Sequence, residues 1–224
     1  MNVESLNQIR DSMLASEDSA RLDFQPVSFD TIIHLQERIS TLPGDILEAG
    51  VWRGIMSVFM AKAFPDKTVW ACDSFEGMPP LEHQKYKTPD GHYDWVVGDM
   101  AADTSFILAN IEKYHARNIK IIKGFFDVTL SSLDISSLAL LRLDCDSYSS
   151  TREVLEILYP KVVSGGYIIF DDFLIPASRA AMNEYFGCND YIVYWPHAHV
   201  SVRACDIRAG ESKAVGRGSY IIKE

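Results

Sequence analysis

Apolar positions along this chain fall into two rhythms. From about Ser5 to Ser40 they recur near helical spacing, with Ile32, Ile33, Leu35 and Ile39 ahead of the break Thr41-Leu42-Pro43-Gly44. That spacing predicts an N-terminal helical segment over residues 1–40. Beyond the break the apolar residues come in short unbroken runs. Asp45 to Ala49 is the first, followed by a turn through Gly50 and Gly54 and a helical run from Ile55 to Phe64. Thr68 to Cys72 ends in Asp73, Ile119 to Ile122 stops at Gly124, Leu140 to Leu143 runs into Asp144, and Gly165 to Phe170 runs into Asp171-Asp172. Runs without polar alternation suit parallel strands covered on both faces. Alternation of such strands with helices predicts an α/β domain with a mostly parallel sheet. The tail holds two β-like stretches, Tyr191 to Trp195 and Ser219 to Ile222, read as final antiparallel strands.

One stretch breaks the alternation. Between Ser74 and Gly98 the chain mixes Gly77, Pro79, Pro80, Pro89 and Gly91 with His83, Lys85, Tyr86, His92 and Trp95. A long irregular segment inside a compact domain is usually functional, and residues 74–98 are read as a substrate lid. At 224 residues the chain has room for one such domain.

Composition narrows the partners. With 47% hydrophobic and 23% charged residues the chain is an ordinary globule. A net charge of −10 without a basic block argues against nucleic acid. No apolar run is long enough to span a bilayer, and Met1 to Leu6 lacks the basic start and apolar core of a secretory signal. No membrane partner is expected, the expected location is cytoplasmic, and a small-molecule substrate fits best. Cys72, Cys145, Cys188 and Cys205 show no paired metal-ligand spacing and read as reduced thiols.

The chemistry concentrates where runs end. Parallel sheets bind ligands outside the carboxyl ends of their strands, which brings Asp144, Asp146, Asp171 and Asp172 to one rim. Like charges crowded together repel unless a cation, a proton or solvent intervenes. Oxygen-only ligands favour Mg²⁺, Mn²⁺ or Ca²⁺ over zinc; the competing reading is ordinary acidic loops on solvated strand ends. Ser150-Thr151-Arg152-Glu153 reads as a capping box with Ser150 as the cap, which frees the aspartates upstream.

The turn Glu48-Ala49-Gly50-Val51-Trp52-Arg53-Gly54 lacks the G-x-G-x-x-G fingerprint, which disfavours a dinucleotide. Glu48 there would repel phosphate and suit the cationic, phosphate-free S-adenosylmethionine. Asp73 could accept hydrogen bonds from ribose hydroxyls, and Phe125 could flank an adenine. The alternatives are a plain tight turn with a surface acid, a helix cap and a core aromatic. His83, His92, His197 and His199 read as solvent-exposed or packed rather than as ligands or bases.

Four blocks carry a resemblance. They are residues 44–54, Asp73 to Pro79, Leu141 to Tyr148, and Leu158 to Lys161 leading into Gly165-Gly166 and Asp171-Asp172. Together, over roughly residues 30–190, the chain resembles the macrocin O-methyltransferase (TylF-like) family, bacterial enzymes that use S-adenosylmethionine and Mg²⁺ to methylate hydroxyls on antibiotic sugars. The resemblance implies a Rossmann-like class I methyltransferase fold. It implies Glu48, Gly50, Asp73 and Ser74 around the cosubstrate, Asp144, Asp171 and Asp172 on the metal, and Asp146 as general base. Cys145 replaces the usual glycine between two aspartates, Phe125 stands where tryptophan is common, and the tail beyond Asn189 departs from the family pattern. The family often assembles, which leaves room for a homo-oligomer.

The expected function is therefore Mg²⁺-dependent O-methylation of a sugar or glycosylated natural product, in secondary-metabolite or glycan biosynthesis. A catechol-type O-methyltransferase would use the same carboxylates. A non-catalytic S-adenosylmethionine-binding protein would need no metal beside the methyl group.

Overall fold

The computed structural model describes residues 2–16, 26–80, 95–187, 192–195, 200–203 and 218–224. Strands β1 (Asp45–Ala49), β2 (Val69–Asp73), β3 (Ile119–Lys123), β4 (Leu138–Leu143) and β5 (Val162–Phe170) pair in parallel. The remaining strands, β6 (Ile192–Trp195), β7 (Val200–Arg203) and β8 (Ser219–Ile222), join them antiparallel. The sheet order is β3-β2-β1-β4-β5-β8-β6-β7. Strand order reverses direction between β1 and β4, and an open α/β sheet binds its ligands in the crevice at that point.

Burial explains why these runs became strands. Every residue of β4 is buried, as are the last four of β1 and the first four of β2. Successive side chains of a strand point to opposite faces, so both faces must be covered. One face holds Leu47, Leu141, Leu143 and Ile168 against Val154 and Leu155 of helix α6 (Tyr148–Leu158) and Met182 of α7 (Pro176–Phe186). The other holds Ile46, Leu140 and Ile169 against α1 (Val3–Leu14), α2 (Pro26–Thr41) and α3 (Ile55–Ala63). Each buried Leu or Ile contributes about 1.5–3 kcal/mol relative to exposure. Strand β3 sits at the sheet edge, and there Lys120 lies 4.2 Å from the centre of the Trp70 ring.

Four expectations change in detail. The N-terminal segment contains two helices, α1 and α2, with α2 ending at Thr41 just before Pro43. Strand β5 starts at Val162, three residues before the run at Gly165, because a register irregularity and a φ of +75° at Gly165 absorb the polar stretch. The tail has a third strand, β7, paired with β6. Helix α6 is capped by Ser147 and not Ser150: the backbone is extended at Ser147 (φ −136°, ψ 157°), and its side chain accepts the Ser150 N–H at 3.2 Å. Glu153 is thereby no capping partner and lines a cavity instead.

Among the described residues no helix is long and apolar enough to cross a membrane. Most of the segment read as a lid, residues 81–94 with His83 and His92, lies outside the described residues, as do His197 and His199. Its two described ends are tied together. Met78 N–H donates to Asp99 O at 2.8 Å and Gly98 N–H to Met78 O at 3.0 Å.

Candidate active site

A cavity of about 720 Å³ opens at the β1–β4 switch point. Its lining includes Glu48, Gly50, Asp73, Ser74, Phe125, Asp144, Asp146, Asp171 and Asp172, so the structure brings together every residue singled out as a site candidate. Short α5 (Phe126–Thr129) follows Phe125, and α4 (Thr104–Tyr114) packs behind the β1 turn.

The turn after β1 is built by close approach. Gly50 has φ +86°, and a Cβ placed there would stand 1.8 Å from the Asp144 carbonyl oxygen. Trp52 also adopts a left-handed φ of 48°. Asp73 holds this unusual path: one of its oxygens accepts the N–H groups of Val51 and Trp52 at 2.7 and 2.8 Å. The other accepts Phe75 N–H at 2.7 Å. Ser74 donates its hydroxyl to Gly77 O and accepts Glu76 N–H. Arg53 lies between the rings of Trp52 and Phe106, 4.5 and 4.2 Å from their centres, which fastens the turn to α4.

The rim after β4 and β5 is different in kind. Asp144, Asp171 and Asp172 each offer a carboxylate oxygen, and these atoms lie within 4.8 Å of one another. Asp146 lies beside them with φ +58°, and its N–H donates to Asp172 at 2.8 Å. Burial raises the carboxyls of Asp144 and Asp172 above the ordinary aspartate range, Asp172 well above it, and neighbouring carboxylates add to the effect.

Beneath the rim lies a residue that the sequence reading passed over. Arg142, 1% exposed, is the charged member of the run Leu140-Leu141-Arg142-Leu143. Its Nη1 reaches Glu48 at 2.6 Å and Asp144 at 2.9 Å, while Nη2 is 2.8 Å from Asp171 in an ion pair without hydrogen-bond alignment. The guanidinium stays firmly protonated because the charges of Asp171, Asp144 and Glu48 outweigh its desolvation. Glu48 is also 1% exposed, with one oxygen on Arg142 and the other accepting the hydroxyl of Ser57 on α3. Burial pushes its carboxyl up to about 7, against the opposing pull of Arg142 and Ser57. Ser28 on α2 donates to Asp171 at 2.7 Å. A charged residue inside an apolar strand signals a buried partner, so the clue to Arg142 was present in the run itself.

The 3-2-1-4-5 parallel order, the cavity at its switch point and the reversed C-terminal strands define a class I S-adenosylmethionine-dependent methyltransferase fold. The chain belongs to the macrocin-O-methyltransferase (TylF) family, whose model matches residues 19–193. It is 36% identical over 166 residues to mycinamicin III 3''-O-methyltransferase of Micromonospora griseorubida, covering 68% of this chain and 65% of that protein. It is 33% identical over 217 residues to 8-demethyl-8-(2,3-dimethoxy-alpha-L-rhamnosyl)-tetracenomycin-C 4'-O-methyltransferase of Streptomyces olivaceus, covering 87% and 83%. The chain thus spans from just under two thirds to over four fifths of these two relatives. Among solved structures, the O-methyltransferase NovP is similar with a TM-score of 0.62 at 26% identity over 98% of this chain and 79% of that one. The calicheamicin methyltransferase CalS11 shares the fold, with a TM-score of 0.66 at 17% identity over 98% and 91%.

Proposed function

We propose that this protein is an S-adenosylmethionine- and Mg²⁺-dependent O-methyltransferase acting on a hydroxyl of a sugar or glycosylated natural product. The observation that carries this reading is the meeting of two rims in one cavity: a glycine-built turn after β1 and three converging carboxylates after β4 and β5. The residues fit a hard divalent ion. Their donors are all oxygen, they lie within 4.8 Å of one another, and a single guanidinium, Arg142, faces two of the three. The activities for which the relatives are named, methylation at a 3''-oxygen of mycinamicin III and a 4'-oxygen of a rhamnosyl tetracenomycin, support the sugar acceptor.

When bound, S-adenosylmethionine supplies an electrophilic sulfonium methyl and Mg²⁺ a positive charge that favours the alkoxide form of the acceptor. Asp144, Asp171 and Asp172 would hold the metal. Gly50, Asp73, Ser74 and Phe125 would bound the cosubstrate, with Gly50 giving its atoms room against the backbone. The N-terminus of α3 has no side-chain cap, so its first backbone donors are available to a carboxylate. Asp146 would take the hydroxyl proton, held in place by its N–H bond to Asp172. The remainder of a glycoside would meet an apolar mouth, where Val128 is 71% and Leu174 36% exposed. The described ends of segment 74–98 contribute Met78 and Trp95 to the cavity lining.

The test is release of S-adenosylhomocysteine from a panel of aryl glycosides, free sugars, nucleotide sugars and catechols, with and without EDTA. Turnover of a glycoside, abolished by EDTA and restored by Mg²⁺, is the expected result. Activity that survives exhaustive chelation removes the metal from the reading. Turnover confined to catechols replaces the sugar acceptor.

A further inference from the structure

Glu48 and Arg142 stand directly opposite each other in the parallel register of β1 and β4. They are cross-strand neighbours on the face that α2 and α3 cover, and those helices contribute Ser28 and Ser57. A buried guanidinium costs several kcal/mol of desolvation and persists only with well-placed partners. Here the partners are two of the three carboxylates assigned to the metal, with Glu48 as the third anchor.

We propose that Arg142, anchored on Glu48, is the positioning residue of the metal site: its guanidinium fixes Asp144 and Asp171, and Glu48 serves the metal through Arg142 without touching the cosubstrate's ammonium group. The proposal rests on the metal reading above. Three observations carry it. Both oxygens of Glu48 are occupied, so an ammonium group would have to displace Arg142 or Ser57 to reach them. The two guanidinium nitrogens reach two different carboxylates, and each contact engages one oxygen, Asp144 Oδ2 and Asp171 Oδ1, which leaves the other oxygen of each for a cation. The planar fork also sets the spacing between those carboxylates rigidly, which a flexible ammonium on a lysine stem would not do. Three carboxylates, Glu48, Asp144 and Asp171, face this one guanidinium, so Arg142 orients the cluster without neutralising it.

The experiment compares the full chain with its Glu48→Gln and Arg142→Lys variants. Mn²⁺ is titrated by calorimetry and by loss of its free-ion spin resonance signal, and S-adenosylhomocysteine is titrated separately. Removing a group that orients metal ligands typically costs about 10–100-fold in metal affinity. Glu48→Gln, which keeps the shape of the side chain, should lose Mn²⁺ affinity on that scale while S-adenosylhomocysteine binds within about twofold of wild type. Arg142→Lys should lose Mn²⁺ affinity likewise; should it fail to fold, the Glu48→Gln result decides alone. Loss of S-adenosylhomocysteine affinity with Mn²⁺ binding intact would make Glu48 a cosubstrate contact and overturn the proposal. Parallel loss of both affinities would mark a general structural role and overturn it too. Glu48→Gln binding Mn²⁺ as wild type does would overturn it while leaving the metal reading standing. Wild-type protein that takes up no Mn²⁺ would remove the metal reading and the proposal together.

Discussion

The two rims of the cavity are built from the same kind of residue and handle it in opposite ways. After β2, the Asp73 carboxylate accepts three backbone N–H groups, and its charge is spent on holding the turn through Val51 and Trp52. After β4 and β5, half-buried Asp144 and buried Asp172 are crowded among carboxylates, with their carboxyls driven up by desolvation and by neighbouring negative charge. A carboxylate satisfied by the protein provides shape. One crowded against other carboxylates provides charge, and desolvation makes that charge available only to a strong partner. The first rim suits a ligand recognised by fit, whereas the second suits a cation.

The largest effect should come from the carboxylate that belongs fully to neither rim. Asp146→Asn removes the proposed base and leaves the backbone undisturbed, because asparagine tolerates the left-handed φ of 58° found there. Turnover should fall by roughly 10²–10⁴, the ordinary worth of general-base catalysis. Mn²⁺ and S-adenosylhomocysteine affinities should stay near wild type. Metal binding lost along with turnover would move Asp146 into the cation rim, and near-normal turnover would move the base elsewhere.

A second substitution attacks the rim of shape. Gly50→Ala places a methyl group 1.8 Å from the Asp144 carbonyl oxygen in a backbone with φ +86°. Overpacking and left-handed strain each cost roughly 1–3 kcal/mol. For a chain of this size a loss of about 4 kcal/mol lowers the melting temperature by roughly 8–16 °C. Since Gly50 touches the strand that carries Asp144, the variant should also weaken both ligands. A melting temperature within a degree or two of wild type would show that the turn and β4 can separate, and that the two rims are not mechanically joined.

The contrast between rims was only half legible in the sequence. The unbroken runs ending in Asp73, Asp144 and Asp171-Asp172 announced strands buried on both faces with acids at their ends, and β2, β4 and β5 carry them. What each acid does depends on groups distant in sequence. Asp73 is committed to the backbone of Val51 and Trp52, and that commitment requires the β1–β2 pairing to be known. Arg142 finds Glu48 across 94 positions through the β1–β4 register, and Ser28 finds Asp171 across 143. Periodicity reports which face a residue occupies but not which neighbour it meets there. Strand β7 escaped notice because Val200 to Arg203 mixes apolar with polar residues, whereas β6 and β8, of the same length, each carry an unbroken apolar run.

The smallest effect tests how independent the second rim is of the helix that follows it. Two serines compete to cap α6, and the sequence alone favours Ser150 because Glu153 sits three residues on, as a capping box requires. The structure gives the role to Ser147, which is extended, 2% exposed, and accepts the N–H of Ser150. Ser147 directly follows Asp146, so the cap also fixes where the left-handed residue must leave the helix axis. Ser147→Ala should therefore cost about 1 kcal/mol, the usual worth of a cap, and lower the melting temperature by roughly 2–4 °C. Ser150→Ala should change it less, since its contribution at the cap is a backbone N–H that alanine retains. The reverse order of the two melting temperatures would restore Ser150 as the cap. If Ser147→Ala also slowed turnover several-fold without touching either affinity, the cap would be part of how Asp146 is aimed.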